Sequence, residues 1–139
     1  MAKNALAPAF WSQVTGENYG SFVTLWRSQH KKNAHDAVTD AKSKKRTPNL
    51  VLYGDSITKW FTGSALGVGE FVFVKERTAY ESLLRDPNAD LFGLGLGIDS
   101  DICTNLLYRI QDGEVPPELN RSVIWILIGS NERCAGASM

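Results

Sequence analysis

Three short apolar segments restrict the fold of this 139-residue chain more than any other feature: NLVLY at 49–53, ADLFGLGLG at 89–97 and SVIWILIGS at 122–130. Each is apolar at neighbouring rather than alternate positions, and each runs into glycine and then into polar residues. A strand that is apolar on both faces belongs inside a parallel sheet covered by helices on both sides. The intervening segments supply those helices. KERTAYESLLRD predicts a helix from about Lys75 to Arg85, closed by Pro87 and Asn88. SDICTNLLYRIQDGE places Ile102, Leu106 and Ile110 on one helical face, with Leu107 widening the stripe and Gly113 as the stop. Strand, helix, strand, helix, strand is the order of right-handed βαβ units, so the expected fold is a three-layer α/β sandwich around a parallel sheet.

The remaining segments are assigned around that frame. Phe22, Leu25 and Trp26 predict an amphipathic helix from about Ser21 to Ala34, followed by a second helix or a solvated stretch up to Thr47. Ile57 to Thr62 opens a short helix after the first strand. The segment GSALGVGEFVFV reads as a loop with a short extended piece near Phe71–Val74. The chain is expected to form one domain, with residues 1–47 as a helical lead-in and 48–139 as the first three βα units.

Fifteen Lys and Arg balance fifteen Asp and Glu, which argues against a nucleic-acid partner, and the KSKKR cluster reads as a solvated lead-in to the first strand. No run approaches the ~18 apolar residues of a membrane span, and the opening MAKNALAPAFWSQ lacks the apolar core of a secretory signal. The expectation is a cytoplasmic protein without a membrane span. Cys103 and Cys134 form no C-x-x-C and have no neighbouring histidine, so neither a metal nor a disulfide is expected. No cofactor is expected; GLGLG has the spacing G-x-G-x-G, which is not that of a dinucleotide-binding turn.

In open parallel sheets, ligands bind outside the carboxyl ends of the strands. Those ends carry Gly54-Asp55-Ser56, Gly95-Leu96-Gly97-Ile98-Asp99 and Gly129-Ser130-Asn131-Glu132. A serine where a strand turns into a helix exposes its hydroxyl on the rim, beside the free N–H groups of the first helical turn. The plainer reading is that Asp55 or Ser56 caps the helix that follows.

YGDSIT, LGLGIDSD and IGSNE, in that order, resemble the first three blocks of the SGNH (GDSL-type) hydrolase family. NLLYRIQDGE and SFVTLWRSQHKK are similar to helices of the subgroup that includes the platelet-activating-factor acetylhydrolase catalytic subunits. The resemblance spans about Phe22 to Glu132 and implies a flavodoxin-like sheet and hydrolysis of acyl esters. It makes Ser56 the nucleophile, and it makes the backbone N–H groups of Ser56 and Gly97 and the side-chain amide of Asn131 the oxyanion hole. Gly97 would then be glycine because its backbone approaches the ligand. The chain departs from the family pattern at Gly95, where Asn is common, and at Asp99 and Ser100, where small residues are usual. A third departure is Glu132 after the Asn.

The family's base is a histidine three positions after an aspartate, and no D-x-x-H occurs in this sequence. The two histidines, His30 and His35, fall in the N-terminal helical segment and are expected to be exposed or to cap a helix. A serine hydroxyl without a base is a weak nucleophile, so a poor esterase is expected. The family's strand order also puts the third strand beside the first, with further strands beyond it that this sequence does not supply. Its outer edge should therefore be open, a surface for self-association, as expected of a C-terminally truncated hydrolase. The alternative reading is a non-catalytic module that binds a small acyl ligand or pairs with another subunit.

Overall fold

The computed structural model describes residues 19–43, 46–65, 72–86 and 88–134. The elements run α1 (Tyr19–Ala41), β1 (Leu50–Gly54), α2 (Ser56–Phe61), α3 (Val74–Leu84), β2 (Gly93–Gly97), α4 (Cys103–Arg109), a wide terminal turn (Ile110–Glu114), a single 3-10 turn (Pro117–Leu119), β3 (Val123–Leu127) and α5 (Ser130–Cys134). The three strands form one parallel sheet in the order β2-β1-β3. This is the α/β layout expected from the sequence.

Where a helix to about Ala34 and then a second helix or a solvated stretch were expected, a single helix of 23 residues continues to Ala41. Its inward stripe is Trp26, His30, Asn33, Ala37 and Ala41, all buried, whereas Leu25 is exposed. The extended piece expected near Phe71–Val74 lies partly outside the described residues; Phe73 instead precedes the first turn of α3.

The parallel register pairs Val51 with Leu94 and Tyr53 with Leu96, so these four side chains share one face. Together with Ala37 and Ala41 of α1, Leu106 of α4 and Leu119 they form the buried core. The opposite face of β2 is made of glycine. A side chain at Gly93 would press on Leu84, one at Gly95 on Thr62 and one at Gly97 on the backbone of α2. Of the segment ADLFGLGLG, the strand itself is GLGLG: leucines fill one face and the missing Cβ atoms let α2 and α3 close on the other.

The two sheet edges are treated differently. Along β2, the Gly93 carbonyl accepts from Arg85 Nη1 at 3.0 Å, the Gly95 N–H donates to Tyr80 Oη at 3.0 Å, and the Gly97 carbonyl accepts from Asn33 Nδ2 at 3.4 Å. Side chains of Asn33 in α1, Tyr80 in α3 and Arg85 at its end thus take three of the backbone groups that another strand would need. Along β3, all five residues of VIWIL are exposed, with Val123 at 64% and Trp125 at 62%. Among the described residues no helix is long and apolar enough to cross a membrane.

Candidate functional site

The three strand ends are tied together by α5. Asp55 caps α2, its carboxylate accepting the Ile57 N–H at 2.9 Å, and its second oxygen accepts the hydroxyl of Ser130. Asn131 Nδ2 donates to the Asp101 carbonyl at 2.7 Å, and Glu132 accepts the Cys103 N–H. Successive residues of one short helix therefore reach β1, the turn after β2 and the start of α4.

Ser56 is the first residue of α2 and is half-buried. The capping role falls to Asp55, which leaves the Ser56 hydroxyl outside that bond. Gly97 is buried at the end of β2, and a Cβ there would meet the Lys59 nitrogen and lie 2.8 Å from the Asp55 carbonyl. The close packing of α2 on β2 is thus sufficient reason for glycine at this position. Asn131 is half-buried and keeps one amide hydrogen beyond the bond to Asp101. The chain passes from β2 to α4 through Ser100, whose φ of +67° is the only positive value at a non-glycine residue among those described.

A cleft of about 480 Å³ opens beside this rim, between α1 and the α2–α3 pair. Asn33, Lys59, Arg77, Tyr80 and Gly97 line it, while Ser56 and Asn131 do not. Lys59 Nζ donates to Gln29 Oε1 across it at 2.8 Å.

Behind the rim lies a buried charged network that sequence reasoning missed. Arg109 has no exposed surface and uses every donor of its guanidinium face. Nε and Nη2 reach the two oxygens of Glu114 at 2.9 and 2.8 Å, Nη1 bonds Asp101 and the Gly54 carbonyl, and Nη2 also bonds the Leu96 carbonyl at 2.6 Å. Trp26 Nε1 donates to the other Asp101 oxygen at 2.5 Å, and Tyr53 Oη to the Glu114 carbonyl. Burial raises the Asp101 pKa to about 6, against the lowering effect of Arg109 and of the Trp26 bond. His30 is buried in this network, a correction to the exposed or capping role expected for it. Its Nδ1 lies 2.7 Å from Glu114 and its Nε2 3.1 Å from Asp112. Burial lowers its pKa, but the bonds to Glu114 and Asp112 outweigh this and the net shift is upward. His35 is exposed on the far side of α1, with Nδ1 3.6 Å from Asp36.

The signal for this network was present in the chain. Arg109 sits on the inward face of an amphipathic helix, one turn beyond Asn105 and next to Ile110, where a lone cation needs carboxylates. Asp101 and Glu114 bracket it in sequence.

Comparisons of the chain with protein-family models, with curated proteins and with solved structures return no match. Among the described residues no cluster of His, Cys, Asp and Glu could hold a metal ion.

Proposed function

We propose that the rim formed by Ser56, Gly97 and Asn131 is an acyl-ester site of the SGNH hydrolase type, with a seat for the nucleophile and oxyanion donors and with neither His30 nor His35 as its base. The observation that carries this reading is the convergence of α5 on the other two strand ends. The Ser130–Asp55 and Asn131–Asp101 bonds bring the Asn131 amide to the rim on which Ser56 opens its helix. Preorganised donors of this kind are worth roughly 3–4 kcal/mol each when charge develops on a carbonyl oxygen.

Neither histidine of the chain serves as base in this reading. Both ring nitrogens of His30 face carboxylates, and His35 is exposed beside Asp36. What remains in such a site is the part of the rate enhancement that comes from the oxyanion hole and binding, about 10³–10⁴-fold over water. A fluorophosphonate probe tests the reading: slow, stoichiometric labelling that Ser56→Ala abolishes supports it, and absence of labelling on prolonged incubation removes the nucleophile from it.

A second reading, a non-catalytic module that works by pairing, is favoured by one observation. Ile124 and Ile126 face the same side of the sheet as the core while remaining 42% and 50% exposed, and Trp125 is bare on the other side. An apolar strand open on its edge and both faces is suited to a partner surface. Sedimentation across a concentration series tests the pairing: a chain that stays monomeric throughout removes this second reading, while the probe labelling of Ser56 tests the first.

A further inference from the structure

We propose that the network joining Trp26, His30, Asp101, Arg109 and Glu114 is a proton-operated latch: protonated His30 holds the N-terminal half of α1 against the sheet, and loss of that proton releases it.

The geometry at His30 requires the proton. A neutral imidazole carries one N–H and one lone pair, so a histidine with a carboxylate at each ring nitrogen satisfies only one of them. Glu114 lies at Nδ1 and Asp112 at Nε2, and the imidazolium alone donates to both. Charge counting agrees. Glu114, Asp101 and Arg109 are fully buried and together carry one excess negative charge, which protonated His30 cancels. The groups facing His30 come from every neighbouring element. They are Glu114 and Asp112 from the terminal turn, Arg109 and the Tyr108 ring from α4, and Trp26 from α1, while Tyr53 of β1 holds the Glu114 carbonyl.

The latch has something to release because α1 is anchored in two ways. Its C-terminal half is held by Ala37 and Ala41 in the apolar core, which no proton affects. Its N-terminal half is held by polar bonds: Trp26 to Asp101, Gln29 to Lys59, His30 to Glu114 and Asp112, and Asn33 to the Gly97 carbonyl. Trp26, His30 and Tyr108 also pack in tilted and edge-to-face contacts, with ring centroids 5.6 to 6.2 Å apart. Deprotonation removes one of the two bonds at His30 and turns a ring lone pair toward a carboxylate, while Glu114 keeps its bonds from Arg109 and Asp112 that from the Tyr108 hydroxyl. The helix can then open from Tyr19 to about Asn33 while the remainder stays docked.

Release also reaches the rim, because the residue that Trp26 holds through its carboxylate is the one whose carbonyl holds Asn131. This consequence rests on the reading of Asn131 as an oxyanion donor; the latch itself does not.

The test is amide hydrogen exchange of α1 in the full chain between pH 5.5 and 9, corrected for intrinsic rates, together with the NMR titration of His30 and the indole N–H signal of Trp26. The expected result is a His30 midpoint above 6.5, with opening of the N-terminal half of α1 rising by up to about tenfold per pH unit from there to the midpoint and then levelling off. The C-terminal half should not follow. Asp112→Asn, at a half-exposed carboxylate, should lower the midpoint and shrink the rise, and His30→Gln should remove the pH dependence in this window. A His30 midpoint at or below 6.5, or a wild-type profile that matches that of His30→Gln, overturns the latch. Probe labelling of Ser56 is read separately, so a failed latch and a failed ester site give different results.

Discussion

The hydroxyl of Ser130, just beyond β3, donates to the carboxylate of Asp55, just beyond β1, while that same carboxylate caps α2 through the Ile57 N–H. One buried side chain thus sets the entry of α2 and the exit of β3. Ser130→Ala removes one donor from a carboxylate and should destabilise the fold by about 1–2 kcal/mol, read as a lower denaturant midpoint at unchanged slope. Asp55→Ala also loses the cap and should cost more; equal losses for the two variants would separate the cap from the bond.

Gly97→Ala should destabilise by about 3 kcal/mol, because the added carbon meets the backbone of Lys59 and Asp55, which no rotamer change can move. Gly20 in α1 is the control. Nothing lies within 4 Å of a Cβ there, so Gly20→Ala should stabilise by about 0.5–1 kcal/mol. Thermal melts of the two variants should move in opposite directions.

Arg109→Met should cost about 3–5 kcal/mol, since it strands Asp101 and Glu114 without their cation in a site closed to solvent. Arg109→Lys should recover little of this, because one ammonium cannot replace a guanidinium that reaches two carboxylates and the Gly54 and Leu96 carbonyls. Chemical denaturation measures both.

Two raised pKa values give the same sign for the pH dependence. A group that holds its proton more tightly when folded adds stability below its unfolded pKa and loses it as pH rises through the folded value. Asp101 does this between 3.8 and about 6, and His30 from 6.5 up to its raised value. Their contribution therefore declines as pH rises across both windows. The Asp101→Asn variant should lose the lower window and His30→Gln the upper one, read from denaturation midpoints at successive pH values.

How much of this was legible in the sequence differs between the sheet and the network. The strands were readable because consecutive apolar residues such as VLY and VIWIL admit few other environments, and their ends marked where Ser56, Gly97 and Asn131 would lie. GLGLG was harder: glycine weakens strand propensity, and only the register shows that its glycines all face α2 and α3. The inward face of α1 was obscured because its buried stripe holds a histidine and an asparagine, where apolar periodicity would look for leucine. The partners of Trp26 and His30 lie 75 and 84 positions away, beyond any local pattern. Arg109 was marked by its inward place in α4 with Asp101 and Glu114 close in sequence, but its bonds to the Gly54 and Leu96 carbonyls, 55 and 13 positions away, were not.

The contrast between the two sheet edges limits how copies of this chain can add together. A copy joined through β3 turns its β2 edge outward, and there Arg85, Tyr80 and Asn33 already hold the Gly93 carbonyl, the Gly95 N–H and the Gly97 carbonyl. Strand addition at β2 would first have to displace these side chains, whereas β3 presents a bare edge among the described residues. Association along this sheet should therefore favour a closed pair over a growing filament.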